Sequence, residues 1–297
     1  MRTIPLITAD VRRVSLRYDS LFTRPSLQEH AREYPDLCWT SEQREYIVGG
    51  RWKSRDDVGE ILELSGPARG LRGLLSGRGS DGEWLPRRAA LVESLVDAYQ
   101  RRGAQLVVLS EREAERNAHA YRSLGFAAIE DVVYLRKPDA EAPAPRQRLV
   151  LRACTFADLD DLLALERRVF PWLWWYGVDE WFMISMLTDV ETILAFWEGN
   201  LIGYETHTVR GWNGHLDRIG IDPAVQGQRF GEELLLHSIR RIGELGGRNV
   251  GLSTQRANAK AQRLYRKYGF RPTGQSLNFF GRVVDPAILP LLPAAGR

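Results

Sequence analysis

The sequence has little cysteine and no long apolar run. Its 297 residues include only two cysteines, Cys38 and Cys154, which lie far apart and in no metal-like spacing. We therefore expect two isolated thiols, buried or partly buried, and no metal site. No stretch approaches the roughly 18 apolar residues that a membrane span needs, and the N-terminus has no apolar core of a signal peptide. These absences predict a cytoplasmic protein that does not bind a membrane.

The sequence also lacks a large excess of charge of either sign. It contains 41 basic and 38 acidic residues, a net charge of +3, which argues against a dedicated nucleic-acid binder. Apolar residues make up 44% and charged residues 27% of the chain, a globular composition with enough apolar surface for a core. At this length, two domains are expected.

A proline- and alanine-rich segment, KPDAEAPAPRQR at 137–148, divides the chain nearly in half. It has no apolar period and favours an extended linker. The halves look related, because AYRSLGF at 120–126 matches LYRKYGF at 264–270, an offset of 144 (264 − 120). In both halves this heptamer follows a helix, a glycine turn, an apolar strand and a second helix, which indicates an internal duplication. The predicted domains are 1–138 and 149–297, joined by the linker 139–148.

The second half predicts an α/β fold with a mixed sheet. Its pattern is strand, helix, hairpin, third strand, loop, helix, strand, helix and final strand. Thr155 is a plausible N-cap for the first helix. The loop VQGQRFG, at 225–231, runs directly into the long second helix. A helix N-terminus has unpaired N–H groups, so a glycine-bearing turn there would bind a phosphate, although an ordinary strand-to-helix turn is the alternative.

Three segments of this half resemble the GNAT superfamily of N-acetyltransferases over about residues 149–281. Gln226 and Gly231 match the Arg/Gln-x-x-Gly-x-Gly/Ala pyrophosphate loop of that family, although Arg229 replaces the middle glycine. The helix NAKAQRLY at 258–265 is similar to the family's Asn-x-x-Ala-x-x-Leu-Tyr, and Gly269-Phe270 follows it.

The resemblance implies two tandem GNAT-like domains and acetyl-CoA as co-substrate, with no metal. In that family, the pantetheine arm of CoA inserts between two splayed strands, the first of which is HLDRIGI here. The implied cofactor-binding residues are Ile219, Ile221, Gln226, Gly227, Gln228, Arg229, Phe230, Gly231 and Asn258. Asn258 would contact the pantetheine or order its helix.

The resemblance also implies a general acid and suggests candidates for a general base. Tyr265 would donate a proton to the departing CoA thiolate, although without the motif a core tyrosine would be favoured. An amine acceptor must lose a proton before it attacks, and a histidine suits that task. The base candidates are His215, Asp217 and Glu205. Strict alternation along the strand would place His215, Asp217, Ile219 and Ile221 on one face.

An aromatic segment, FPWLWWYGVDEWF at 170–182, follows the first helix, where this family builds acceptor loops. Its candidate acceptor-binding residues are Trp172, Trp174, Trp175 and Tyr176. The same residues would also suit a contact between domains, a homodimer contact or a plain core segment.

The first half predicts a degenerate copy of the same fold. The 144-residue offset places GEWLPR at 82–87 on the pyrophosphate loop, where Pro86 removes a backbone donor and Arg87 replaces the last glycine. Tyr121 corresponds to Tyr265, and Ala114 replaces Asn258. We expect this copy to have lost its donor site, although the glycines at 77, 79 and 82 leave open a shifted loop.

The leading hypothesis is transfer of an acetyl group from acetyl-CoA to a primary amine of a small molecule or peptide, by direct attack in the C-terminal domain. The tandem layout also resembles that of mycothiol synthase, which acetylates a cysteinyl pseudo-disaccharide. A third hypothesis is a non-catalytic protein that senses acetyl-CoA. The sequence leaves the acceptor and the oligomeric state open.

Overall fold

The protein is represented by a computed structural model that describes residues 3–5, 34–41, 46–53, 55–65, 81–111 and 114–293. The strands are β1 (Thr3–Pro5), β2 (Cys38–Ser41), β3 (Tyr46–Trp52), β4 (Arg55–Ser65), β5 (Leu106–Glu111), β6 (Ala127–Lys137), β7 (Val150–Ala153), β8 (Val190–Trp197), β9 (Asn200–Arg210), β10 (Asn213–Ile221), β11 (Asn249–Gln255) and β12 (Arg271–Val283). The helices are α1 (Asp81–Arg101), α2 (Ala114–Ser123), α3 (Leu159–Val169), α4 (Val178–Ser185), α5 (Phe230–Glu244) and α6 (Ala259–Lys267). Unit 1 comprises Met1–Glu130 and Leu277–Arg297, and unit 2 comprises Asp131–Ser276.

The two units have the same strand order and the same pattern of directions. In unit 1 the order is β1-β2-β3-β4-β5-β12, and in unit 2 it is β7-β8-β9-β10-β11-β6. Neighbouring strands are antiparallel except for one parallel pair in each unit, β4 with β5 and β10 with β11. Each parallel pair is joined through a helix, α1 or α5, as a crossover connection requires. The mixed α/β fold predicted from the sequence is therefore confirmed.

The last strand of each half completes the sheet of the other unit. Residues 132–137 of β6 pair with β11, and residues 278–283 of β12 pair with β5. Unit boundaries consequently fall inside β6, after Glu130, and inside β12, after Ser276. They differ from the predicted domain boundaries at 138 and 149. The predicted linker itself has neither helix nor strand in 139–148.

Thr155, predicted to cap the first helix, precedes the 3₁₀ turn Phe156–Asp158 that leads into α3, and the N-cap of α3 itself is Asp158. The backbone N–H and the hydroxyl of Thr155 both donate to Asp158, at 2.8 and 2.7 Å. Helix α4 was not predicted, because its eight residues do not show a clear apolar stripe at helical spacing. Its sequence signal is Glu180, whose carboxylate accepts a hydrogen bond from Gly177 N at 2.8 Å and so caps the first turn.

Helix α5 forms because one side of it is apolar and its ends carry suitable charges. Leu235, Ile239 and Ile242 are fully buried against β10 and β11. Glu232 and Glu233 lie in the first turn, where a carboxylate favours the helix dipole. Glu233 also accepts hydrogen bonds from the backbone N–H groups of Arg148 and Leu149, at 2.6 and 2.9 Å. The end of the linker is thus bound to the start of α5.

Both cysteines are unpaired and at least partly buried, as predicted from their wide separation in the sequence. Cys38 is buried and Cys154 is half-buried, and neither forms a disulfide. Burial raises the pKa of Cys38 to about 12 and that of Cys154 to about 11, so both thiols stay protonated near neutral pH. Within the described parts of the chain, no helix is both long enough and apolar enough to cross a membrane.

Candidate active site

The two parallel strands of unit 2 separate halfway along their length. Their pairing runs from Asn213 opposite Asn249 to Leu216 opposite Leu252 and then stops. Beyond that point β10 remains paired with β9 as far as Ile221, and β11 remains paired with β6 as far as Gln255. The edge of β10 that faces β11 therefore carries backbone donors and acceptors with no strand partner along 218–221. We call this opening the β10–β11 gap.

The loop between β10 and α5 presents main-chain donors at the end of this gap. Glu233 is the first residue of the helix whose N–H is paired, with the carbonyl of Arg229 at 3.2 Å. Among the described residues, the N–H groups at 228–232 have no acceptor. Together with the positive end of the helix dipole, these donors form a site for an anion.

The loop keeps glycine-like backbone geometry even where its sequence departs from the family pattern. Gly227 has a φ of 89°, in the left-handed region that glycine adopts without strain. Arg229, which replaces the middle glycine, also lies there, with a φ of 65°. Phe230 is buried beside Trp197, with ring centroids 5.2 Å apart, so of this residue only the main chain faces the loop.

Helix α6 begins next to this loop and is capped by Asn258. The Asn258 side chain accepts a hydrogen bond from Ala261 N at 3.1 Å, as predicted for a residue that orders the helix. In the first turn of α6, Lys260 Nζ donates to Gln226 Oε1 at 2.7 Å. The amide nitrogen of Gln226 in turn donates to the carbonyl of Ile221 at 3.0 Å. Gln226 thereby connects the end of β10 with α6.

Tyr265 lies in α6, the helix that follows β11. Its ring is buried beside Phe270, with centroids 5.9 Å apart. Burial raises the pKa of Tyr265 to about 12, so the hydroxyl stays protonated over the physiological range. No described residue forms a hydrogen bond with this hydroxyl. It is therefore a protonated donor whose hydrogen bond is available to a ligand.

His215 and Asp217 form a dyad on β10. His215 Nδ1 lies 2.8 Å from Asp217 Oδ1, and Thr208 Oγ1 donates to Asp217 Oδ2 at 2.6 Å. The His215 side chain is 37% exposed and that of Asp217 is 9% exposed, so the imidazole reaches solvent while its partner does not. A buried carboxylate on one ring nitrogen orients the ring and leaves the other nitrogen free to exchange a proton.

The predicted common face of His215, Asp217, Ile219 and Ile221 is wrong. The β9–β10 register shifts between Leu216 and Arg218, which leaves Asp217 as the extra residue of a β-bulge. His215 lies opposite Thr208, whereas Ile219 lies opposite Glu205. Because Thr208 and Glu205 are three residues apart on β9, they point to opposite faces. The bulge thus sends Ile219 to the face opposite His215.

Glu205 lies away from the dyad, in a buried cluster of ionisable side chains. It is fully buried, 2.9 Å from His207 Nδ1 and 3.5 Å from His237 Nδ1 on α5. Burial disfavours the charged imidazole of His207, but the hydrogen bond and charge of Glu205 outweigh it and raise the pKa of His207. The Glu205 carboxylate is therefore engaged with histidine and has no exposed surface.

The aromatic segment is packed mainly as core. Trp172 and Trp174 are buried, and Trp175 and Tyr176 are half-buried. Trp175 Nε1 donates to the carbonyl of Phe170 at 2.7 Å. Burial raises the pKa of Tyr176 to about 12. Of the four predicted acceptor-binding residues, Trp175 and Tyr176 keep the more accessible surface.

A buried ion pair holds this segment against β10. Arg218 pairs with Glu166 of α3, and its guanidinium lies 3.9 Å from the Phe170 ring and 3.8 Å from the Tyr176 ring. It also donates to the carbonyl of Trp174 at 2.7 Å. The sequence analysis missed this pair. Its only signals are Glu166 within the apolar pattern of α3 and Arg218 within the apolar pattern of β10. Lys260 was also missed, because a lysine at a helix start is usually a solvated residue.

In unit 1 the predicted loop counterpart at 82–87 is wrong, because these residues belong to α1. The segment between β4 and α1 is 66–80, which lies outside the described residues, as do Gly77 and Gly79. The parallel pair β4–β5 also stops early, after Glu60 opposite Val108. Here, however, Tyr121 Oη donates to Glu111 at 2.9 Å. The tyrosine of unit 1 is thus engaged within its own unit.

Comparisons with known proteins agree with this geometry. The family model of the acetyltransferase (GNAT) family matches residues 158–270. A mycothiol acetyltransferase of Saccharomonospora viridis is 24% identical over an alignment of 208 positions, and the match covers 62% of this chain and 67% of that protein.

Two solved structures show the same fold. A GCN5-related N-acetyltransferase from Sphaerobacter thermophilus has a TM-score of 0.60 and 16% identity, with 96% of both chains covered. A tandem GNAT protein from the clavulanic acid biosynthesis pathway has a TM-score of 0.52 and 13% identity, covering 84% of this chain and 83% of that one. The matched segment contains the strand gap, the loop and α6. This segment therefore has the sequence pattern of the acetyltransferase (GNAT) family, and the chain is similar to members of that family.

Proposed function

We propose that unit 2 transfers an acetyl group from acetyl-CoA to a primary amine of a small molecule or peptide. The observation that carries the proposal is the β10–β11 gap, which opens directly beside unpaired helix-terminal amides. An elongated ligand with a phosphate group at one end and amide groups along its arm suits both features. Acetyl-CoA has this composition: its diphosphate would bind the loop and its pantetheine amides would pair with the free edge of β10.

In the proposed donor site, the loop acts mainly through its main chain. The N–H groups of Gly227, Gln228, Arg229, Phe230 and Gly231 would surround the diphosphate. Ile219 and Ile221 would pair with the pantetheine through their backbone groups. Asn258 would act indirectly, by keeping the first turn of α6 in place.

The reaction we propose is direct attack without a covalent enzyme intermediate. His215, oriented by Asp217, takes a proton from the acceptor ammonium, and the neutral amine nitrogen then forms a bond to the thioester carbonyl carbon. The C–S bond breaks, the electron pair leaves with sulfur, and the Tyr265 hydroxyl donates its proton to the thiolate. The excess proton on the new amide nitrogen is lost to solvent, and the Tyr265 oxygen takes up a proton from solvent. Both described cysteines have raised pKa values, so neither supplies a ready thiolate nucleophile.

We also propose that the active domain is the C-terminal one and that the first copy no longer binds the donor. The hydrogen bond between Tyr121 and Glu111 supports this division. A more specific candidate acceptor is a cysteinyl pseudo-disaccharide, as for mycothiol synthase. It is favoured by the likeness to a protein named mycothiol acetyltransferase.

The proposal is tested by measuring acetyl-CoA binding calorimetrically and then CoA release with a panel of primary amines that includes the cysteinyl pseudo-disaccharide. We expect binding at one site per chain, followed by amine-dependent release of CoA. Binding without transfer to any amine would favour an acetyl-CoA sensor instead. No binding at millimolar acetyl-CoA would overturn the proposal.

The base is tested with His215→Ala, using His119→Ala as a matched control, because His119 is exposed on α2 of unit 1. Loss of a general base lowers kcat/KM by about a hundredfold and removes the acidic limb of the pH profile. The control should keep the wild-type rate and profile. An unaltered acidic limb in the His215 variant would exclude histidine as the base.

A further inference from the structure

Two cations near the loop, Arg229 and Lys260, form no ion pair with a carboxylate among the described residues. The charge of Arg148 is already paired, because its guanidinium lies 3.4 Å from the Glu233 carboxylate. It also donates to the carbonyl of Gln228 at 2.7 Å and stacks over the Phe230 ring. Lys267 pairs with Glu232 at 2.6 Å. Among the described residues, Arg229 and Lys260 have no carboxylate within ion-pair distance. Their positive charge is available to an anion that enters this part of unit 2.

Lys260 is held at the wide end of the β10–β11 gap. Gln226 follows β10 and Lys260 follows β11, and their contact joins the segments that leave the two diverging strands. The Lys260 ammonium is therefore held against the loop that carries the unpaired main-chain amides.

The partner of Lys260 is well suited to being exchanged. A neutral amide oxygen leaves the ammonium charge uncompensated, and Lys260 itself is exposed on the surface of α6. A hydrogen bond between an ammonium and a phosphate is stronger than one between an ammonium and an amide, because both groups are charged. Replacement of Gln226 by a phosphate oxygen is thus favourable.

We propose that Lys260 releases Gln226 and binds the diphosphate of acetyl-CoA, which makes it a specificity-determining residue for the donor. This inference rests on the donor site proposed above. It assigns the diphosphate a side-chain cation from α6 in addition to the main-chain amides of the loop.

The test measures the dissociation constants of three acetylated thiols with the full chain: acetyl-CoA, acetyl-dephospho-CoA, which keeps the diphosphate but lacks the 3′-phosphate, and acetyl-pantetheine, which has no phosphate. Lys260→Met should weaken the first two by the same factor, about tenfold, and leave the third unchanged. Arg266→Met is the matched control, because Arg266 is exposed on the same helix and bonds Gln262 instead of the loop. It removes the same charge and should leave all three constants unchanged.

Three results would overturn the role of Lys260. The first is unchanged acetyl-CoA affinity in Lys260→Met. The second is a loss confined to acetyl-CoA, which would place Lys260 on the 3′-phosphate. The third is an equal loss in the Arg266 control, which would indicate only a general effect of charge. Failure of the wild-type chain to bind acetyl-CoA would instead count against the proposed function itself.

Discussion

Unit 1 and unit 2 share a topology but use the corresponding tyrosine differently. In each unit a parallel strand pair stops partway along its length, and a helix with a tyrosine follows the second strand. Tyr121 donates to Glu111 in unit 1, whereas Tyr265 in unit 2 has no hydrogen-bond partner among the described residues. Counting back 144 residues from Gln255 gives Glu111 (255 − 144). The strand residue at this position is thus Glu111 in unit 1, which accepts a hydrogen bond from Tyr121, and Gln255 in unit 2, where the Tyr265 hydroxyl stays available. The shared fold alone therefore does not make a donor site.

The units also differ in how their sheets bury polar groups. In unit 1 the buried Tyr99 hydroxyl is bonded to the main chain, at 2.6 Å from the carbonyl of Gly50 and 2.7 Å from that of Glu60. In unit 2 a charged pair, Glu166 with Arg218, is buried between aromatic rings. Burying a neutral hydroxyl costs little free energy when the hydroxyl is hydrogen-bonded, whereas a buried charge needs an oppositely charged partner. Of these two contacts, the ion pair in the unit with the proposed active site is therefore the one whose disruption should be more destabilising.

The largest expected effect is on the stability of unit 2. Arg218→Met leaves the Glu166 carboxylate buried without its partner, which should lower the free energy of unfolding by about 3–5 kcal/mol. Tyr99→Phe in unit 1 should lower it by about 1–2 kcal/mol, because only neutral hydrogen bonds are lost. Denaturant unfolding of both variants measures this difference.

The double variant Glu166→Leu/Arg218→Met provides the control. Removing both charges should recover much of the loss, since no unpaired charge remains. If the double variant were as unstable as Arg218→Met, the loss would come from packing and not from the unpaired carboxylate.

The next effect concerns the two tyrosines directly. Tyr265→Phe removes the proposed proton donor and should lower turnover at saturating acetyl-CoA by about a hundredfold, with little change in acetyl-CoA affinity. Tyr121→Phe should leave turnover unchanged, because its hydroxyl is bound to Glu111. Steady-state kinetics and calorimetry on both variants test the comparison, and equal turnover for the two would reject the acid role of Tyr265.

The smallest effect is on the backbone of the loop. Arg229→Gly removes the strain of a non-glycine residue in the left-handed region. It should stabilise unit 2 by about 0.5–1 kcal/mol, after allowance for the greater freedom of glycine in the unfolded chain. The same change removes a cation beside the loop and should weaken acetyl-CoA binding severalfold. The melting temperature should therefore rise while the affinity for acetyl-CoA falls. A lower melting temperature would show that the left-handed backbone of Arg229 is not strained.

Local patterns predicted the elements of unit 2 well, because each depends on nearby residues. The hairpin β8–β9 and the amphipathic α5 both follow from the spacing of apolar residues within one short segment. Helix α4 was missed because its eight residues are too few to show a clear helical period. The common face predicted along β10 failed because a bulge depends on pairing with β9, which a single strand does not reveal.

The sequence by itself determined the class of fold, the duplication, the loop with its glycines and the helix of Asn258 and Tyr265. These features depend on short-range chemistry and on motifs that are contiguous in the chain. Only the tertiary structure decided which strand joins which sheet and that His215 and Ile219 lie on opposite faces of β10. It also decided that Glu205 is buried beside two histidines and that Lys260 forms a hydrogen bond with Gln226. Each of these depends on residues distant in sequence, whose proximity arises from packing and strand register.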